Sequence, residues 1–361
     1  MNLKDKKILI ISPEAWGENY VSKHHYALEL SEFNKVYFLN PPSSNFLIHH
    51  FNNNLHIVNY KPIIRGVNRM NSFFRDYFNS ILIKKIKKFI EIQEFDIIWS
   101  FDPFRLQNLS LFKSPILIYH PADVHYTFLE KEIASYAHLI LTTCEFVKKE
   151  LEPYNKNVYN IGHGVSDNFF KKELLTTYST KKLKVCMLGN LQRKIDYPIL
   201  FTLIDNHPDI EFHFIGPSTS SNLIKKTSYS SEVKLLESFS NTYLHGSIMQ
   251  EQLPSWLNKM NLFLILYSED ENPASQANPH KILEYLSTGK VILSSWMEEY
   301  VGNNGLIEME RNNIDIITKF KEILSDLAFY NSSTLQRRRI KYAQENTYKK
   351  KIKEIEGLLD S

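Results

Sequence analysis

The chain has 361 residues, 43% apolar and 23% charged, with 43 Lys and Arg against 40 Asp and Glu for a formal net charge of +3. That length accommodates two domains with separate cores, and so small a charge excess gives no argument for nucleic acid as a partner. Cys144 and Cys186 lie too far apart for a disulfide framework or a zinc pattern, Met1 to Lys7 is polar where a signal peptide would be apolar, and no window has membrane-span length, so the chain is expected in a reducing, cytoplasmic setting.

Apolar runs of strand length alternate with amphipathic helical stretches, which predicts a parallel α/β architecture. Lys7 to Ser12 reads as the first strand and Val21 to Phe33 as its helix. Between them, Ser12 to Asn19 carries Trp16, able to stack on a sugar or simply to pack, and Gly17, which lets backbone approach a ligand. Strands are expected at Val36 to Leu39, Leu55 to Val58, Ile97 to Ser100, Pro115 to Tyr119 and Leu139 to Thr142, then a helix over Glu145 to Tyr154 and a short strand at Val158 to Ile161. The stretch Ile81 to Ile90 holds four lysines at helical spacing, preceded by Arg65, Arg69 and Arg75 and by Phe73, Phe74, Tyr77 and Phe78. It reads either as a solvated basic face over a packed helix or as a surface drawn to anionic lipid, making peripheral membrane contact an expectation to test. After the fifth strand, His120, Asp123 and His125 stand close together, but the spacing is too loose for a metal site and a lone His at a strand end is commonly structural.

Residues 171–182, polar and rich in Thr and Lys, form the expected linker between a first domain over 1–170 and a second over 183–334. The second series opens with the strand Leu183 to Leu188, followed by Gly189 and a loop containing Arg193 and Lys194. Ligands of open α/β sheets bind beyond the carboxyl ends of strands, so these cations suit a diphosphate, although an ordinary basic loop has the same composition. Strands follow at Glu211 to Ile215, Thr242 to Leu244, Leu262 to Leu266 and Val291 to Leu293, with Gly216 and Gly246 as strand-end turns and an acidic cluster at Glu269-Asp270-Glu271. In Asn278-Pro279-His280-Lys281-Ile282-Leu283-Glu284-Tyr285-Leu286-Ser287-Thr288-Gly289-Lys290, Asn278 suits an N-cap, Pro279 the first helical position and Gly289 the stop. Lys281 then sits in the first turn, where a cation opposes the helix dipole unless an anion is held there. Glu284, one turn on, shares its face, which is also the geometry of a weak surface ion pair. Residues 335–361 are helical in pattern and basic.

The run from Pro279 to Lys290 resembles the Pro-x-Lys-x-x-Glu-Tyr-Leu-Ala-x-Gly-Lys segment of retaining glycosyltransferases of family 4, the group 1 glycosyltransferases. Gly189 to Lys194 is similar to the Gly-Arg-Leu…Lys-Gly loop of that family, with Asn190 in place of its Arg, and Ile161 to Val165 resembles its hinge turn. The resemblance implies a GT-B fold, in which two Rossmann-like domains face an interdomain cleft and the terminal helix crosses back to the first. It implies transfer of a sugar from a nucleoside diphosphate sugar to a glycan or lipid-linked acceptor, with retention, without a metal or other cofactor, in cell-surface polysaccharide synthesis. Arg193, Lys194 and Lys281 would stabilise the leaving diphosphate, Glu284 would hold the ribose, Gly189, Gly216 and Gly246 would border the nucleotide, and Gly17 would border the acceptor. His120 and Asp123, in a segment similar to the Tyr-Asp-x-x-Asp of the family, would orient acceptor or donor sugar. The carboxylate that commonly contacts the transferred sugar is here Gln276, an amide that hydrogen-bonds but carries no charge. Two other functions fit the same motifs: a sugar-nucleotide epimerase, and a catalytically degenerate binding subunit.

Overall fold

The structure, a computed structural model, describes residues 2–17, 20–121, 125, 127–170, 182–191, 195–217, 231–268 and 278–360. The chain divides into two compact units, Met1–His163 with Tyr348–Ser361, and Gly164–Thr347. The sequence placed these divisions at 170 and 334; by contacts, residues 164–170 and 335–347 belong to the second unit. The expected linker lies outside the described residues but for Lys182.

The first unit is built on β1 (Lys7–Ile11), β2 (Lys35–Leu39), β3 (Leu47–His50), β4 (Leu55–Asn59), β5 (Ile97–Ser100), β6 (Ile116–Tyr119), β7 (Leu139–Thr142) and β8 (Val158–Asn160), in the order β3-β4-β2-β1-β5-β6-β7-β8. Its helices are α1 (Ser22–Leu30), α2 (Ser72–Phe89), α3 (Phe128–Tyr136) and α4 (Glu145–Leu151). The central strands are parallel, with Ile8 of β1 opposite both Val36 and Ile97. Their residues are buried on both faces, which is why they read as unbroken apolar runs. Strand β3 is not among the strands expected from sequence. It pairs antiparallel to β4 through its backbone while its side chains stay mostly exposed, so no burial pattern marks it. Helix α1 ends at Leu30, short of the expected Phe33, and buries Lys23, His24 and His25, residues that a hydrophobic pattern passes over.

The second unit contains β9 (Lys184–Leu188), β10 (Glu211–Ile215), β11 (Thr242–Leu244), β12 (Leu262–Ile265), β13 (Val291–Ser295) and β14 (Glu308–Glu310), all parallel, in the order β11-β10-β9-β12-β13-β14. Its helices are α5 (Tyr197–Asp205), α6 (Ser231–Ser238), α7 (Leu253–Leu257), α8 (Lys281–Ser287), α9 (Asn313–Ser325), α10 (Leu327–Tyr330) and α11 (Ser333–Glu345). Alternate residues of β9 serve two cores: Val185 and Met187 pack with α5 and α9, Cys186 and Leu188 with α7 and α8. Helix α11 is held by Arg339, which is fully buried and donates to the carbonyls of Gly289, Gly305, Leu306 and Tyr330. That arginine of the basic tail is therefore a structural tie. The tail itself is two helices, broken at Asn346, whose carbonyl accepts from Val165 N–H at 3.0 Å. Past the break, α12 (Tyr348–Leu358) belongs to the first unit, where Tyr348 stacks on His25 at 4.8 Å and Glu356 accepts from Leu3 N–H at 2.7 Å.

Both sheets reverse strand order beside their first strand, between β1 and β5 and between β9 and β12. At such switch points the flanking connections leave toward opposite faces and open a crevice at the carboxyl ends. Among the described residues no helix is long and apolar enough to cross a membrane.

Candidate functional site

In the second unit β9 and β12 pair only at Val185 with Leu262 and Cys186 with Phe263, and diverge beyond. The backbone of Leu188 is thereby left without a strand partner on that side, and α8 supplies both missing partners. Tyr285 Oη accepts from Leu188 N–H at 2.6 Å, and Lys281 Nζ donates to Leu188 O at 2.8 Å. Tyr285 is itself fixed by stacking on Phe263 at 4.2 Å. Lys281 is thus drawn into the mouth of the crevice, with Nζ 5.2 Å from the centre of the Tyr267 ring.

Three glycines floor this mouth on the β10 side. Gly189 N–H donates to Ile215 O at 2.9 Å, and Gly216 N–H to Gly246 O at 2.8 Å, so the ends of β9, β10 and β11 are linked in series. All three have positive φ, at +134°, +140° and +66°. A Cβ at Gly216 would lie 2.1 Å from Gly189 O, and one at Gly189 would lie 3.3 Å from Lys281 Nζ. Bare backbone therefore borders the ammonium. Gly216→Ala is expected to lower stability by about 1–3 kcal/mol, since both φ and contact oppose it; an unchanged melting temperature would contradict this packing.

The helix start differs from the sequence expectation. Lys281 opens α8, preceded by a tighter turn in which Ile282 N–H donates to Pro279 O and Leu283 N–H to His280 O, so Asn278 stands one step outside, where its side-chain oxygen accepts from Tyr300 Oη at 3.0 Å. Gly289 takes φ +74° at the helix stop, as the sequence predicts.

Burial sets the electrostatics. Glu284 is 8% exposed, and loss of solvent raises its carboxyl to about 7, with a hydrogen bond from Gln250 and the charge of Lys281 pulling the other way. The same loss of solvent lowers Lys281 to about 8, opposed by Glu284 and Cys186. No ion pair of Lys281 with Glu284 occurs among the described contacts; the ammonium is satisfied on one side by a carbonyl. This is not the weak surface pair that their spacing allows. It is a partly buried cation that makes no direct ion pair among the described residues, next to open backbone. Arg193, Lys194, Gln276 and the cluster Glu269-Asp270-Glu271 lie outside the described residues.

In the first unit a second cation occupies the corresponding crevice. Arg105 Nη2 donates to Ser12 O, just past β1, at 2.9 Å, and pairs with Asp102, just past β5 and fully buried. Burial raises the Asp102 carboxyl, with Arg105 holding it down. Glu14 pairs with Lys23 nearby. Neither Asp102 nor Arg105 was picked out from sequence; the available signal was a carboxylate within two residues of a strand end. Trp16 proves to be a packing residue, its ring within 5.3 Å of those of Tyr20, His24, Phe38 and Phe51. Gly17 has room for a Cβ, whose nearest neighbour would be Ala15 O at 3.9 Å, so the fold itself does not demand glycine there. His120 is 2% exposed, stacked on Phe101 at 4.7 Å, and burial lowers it to about 3. Trp99 Nε1 donates to its Nδ1 at 3.3 Å, which places the proton of the neutral ring on Nε2. Near neutral pH the ring of His120 is therefore uncharged, with its proton on Nε2. Asp123 lies outside the described residues.

No family model and no curated protein sequence matches this chain. Solved structures do. Sucrose-phosphate synthase from Thermosynechococcus elongatus aligns with a TM-score of 0.70 at 13% identity, over 98% of each chain. The Anabaena protein HepE in complex with UDP-glucose gives 0.70 at 12% identity, over 98% of this chain and 99% of that one. The catalytic domain of starch synthase IV from Arabidopsis thaliana, bound to ADP and acarbose, gives 0.66 at 10% identity, again over 98% and 99%. At such identities the likeness is one of architecture. The chain has the GT-B fold that these glycosyltransferases share.

Proposed function

We propose that this protein is a glycosyltransferase that moves a hexosyl group from a nucleoside diphosphate sugar to a glycan or lipid-linked acceptor in the cytoplasm. The observation that carries the reading is Lys281, held by Leu188 O in the switch-point crevice of the second unit with no direct carboxylate partner among the described residues. A diphosphate placed there would supply the missing anion and accept hydrogen bonds from the ammonium. The fold adds support, since HepE carries UDP-glucose and starch synthase IV carries ADP.

In this reading the C1–O bond to the diphosphate breaks as the acceptor hydroxyl oxygen bonds to C1 and passes its proton to the departing phosphate oxygen, and Lys281, with Arg193 and Lys194, neutralises the remaining charge on the diphosphate. Glu284 accepts from the ribose hydroxyls in its ionised form, which burial makes partly populated near pH 7 by raising its carboxyl to about 7. His120 offers its Nε2 proton to a hydroxyl or phosphate oxygen. Because side-chain cations meet the leaving group, transfer is expected to persist in EDTA, and retention of configuration follows the resemblance of the Pro279 to Lys290 run. A thermal-shift panel of UDP, GDP, ADP and their sugars tests the donor: a ligand at a hundred times its Kd stabilises by about 2.7 kcal/mol. Absence of a shift with every nucleotide would sink the proposal. Gln276, at the position of a sugar-facing carboxylate, favours one second reading, a subunit that binds the donor without turnover. That reading gains if a nucleotide shifts the melting temperature while neither transfer nor donor hydrolysis is detected.

A further inference from the structure

Helix α2 buries one side, through Arg75, Asn79, Leu82, Ile83 and Ile86, and leaves the opposite side bare. Phe73 is 75% exposed, Tyr77 58% and Phe74 52%. At about 3.6 residues per turn, Phe73, Tyr77, Lys84 and Lys88 fall on one line, with Phe74, Ile81 and Lys85 beside it, within about 120° of arc. The exposed stripe is thus aromatic over its first half and cationic over its second. Exposed Arg65 and Arg69 lie just before the helix.

Beside the aromatic end, Glu132 is engaged by Arg75 and Asp76 by Asn108 at 2.7 Å; past the cationic end Glu91 and Glu94 are exposed, beyond the stripe. The stripe itself carries no carboxylate. Large apolar side chains left in water are costly and rarely cluster without a partner. Aromatics aligned with unpaired lysines match a bilayer, which offers an apolar boundary for the rings and anionic headgroups for the cations.

We propose that this face of α2 seats the protein on an anionic membrane surface, the aromatic end entering the headgroup boundary. The placement suits an acceptor carried by lipid. It does not rest on the transferase reading, because vesicle binding is measured without donor or acceptor.

The test is co-sedimentation of the full chain with vesicles of phosphatidylcholine alone and of equal parts phosphatidylcholine and phosphatidylglycerol. The wild type should pellet with the anionic vesicles, stay in solution with the neutral ones, and be released by raised salt. The triple variant Lys84→Gln, Lys85→Gln, Lys88→Gln should bind about a hundredfold more weakly, at about fivefold for each cation. The triple variant Phe73→Ser, Phe74→Ser, Tyr77→Ser should also fail to pellet. All six side chains are exposed, so melting temperatures should match the wild type. A wild type that ignores anionic vesicles, or either variant pelleting like it, would overturn the proposal; a wild-type dimer dissolved by the aromatic variant, without vesicle binding, would assign the face to a second copy of the chain instead.

Discussion

Lys281→Met is expected to cut sugar transfer by about a hundred- to a thousandfold while leaving the fold intact. Methionine keeps the stem packed and removes only the ammonium, so the loss measures charge at the leaving phosphate. The variant should also be more stable than the wild type near neutral pH. Burial lowers Lys281 from 10.5 to about 8, which means the fold disfavours the protonated form. Below pH 8 that cost is present in full, up to about 3 kcal/mol. Between pH 8 and 10.5 the folded lysine releases its proton while the unfolded one keeps it, so wild-type stability recovers as pH rises. The lost bond to Leu188 O offsets part of the gain. Denaturant titrations of both proteins at pH 7 and pH 10 check this: the advantage of the variant should shrink at the higher pH. A variant less stable at both would mean that Lys281 is a structural tie.

Glu284→Gln should weaken nucleoside diphosphate binding by about ten- to a hundredfold, because the amide offers a single accepting oxygen where the carboxylate offers two. The pH dependence has the opposite sign to that of Lys281. Glu284 rises from 4.5 to about 7 in the fold, so folding favours the protonated acid. Stability from this group is present below pH 4.5 and lost as pH rises through 7. The glutamine variant should therefore out-melt the wild type at pH 8 and lose that advantage at pH 4. Affinity for the nucleotide follows both groups: it should be greatest between about pH 7, where Glu284 ionises, and about pH 8, where Lys281 begins to lose its proton. Calorimetric titrations from pH 6 to pH 9 would show it; a flat profile would remove both groups from the site.

The parallel strands were legible because burial on both faces makes them mostly apolar runs, and Gly289 marks the end of α8 with a backbone angle other residues avoid. Strand β3 escaped notice because its pairing is made by backbone at an edge and its side chains face water. The break at Asn346 escaped because helical pattern runs across it; only the division between the units reveals it. At the site, spacing put Lys281 and Glu284 on one face but suggested an ion pair. What redirected Lys281 was the unpaired backbone of Leu188, a consequence of β9 and β12 diverging, which no local pattern encodes. For the same reason Asp102 and Arg105 went unmarked: their meaning comes from Ser12, far away in sequence and adjacent at the switch point. His120 was marked, as a strand-end histidine, but only its contact with Trp99 shows which nitrogen holds the proton.

The claim that matters most is that the crevice between β9 and β12 receives the diphosphate. A crystal structure with the nucleotide that gives the largest thermal shift tests it directly. The account predicts a phosphate oxygen within about 3.2 Å of Lys281 Nζ, over the backbone of Gly189, and the ribose hydroxyls on Glu284. A nucleotide bound elsewhere, with Lys281 Nζ still donating only to Leu188 O, would contradict it.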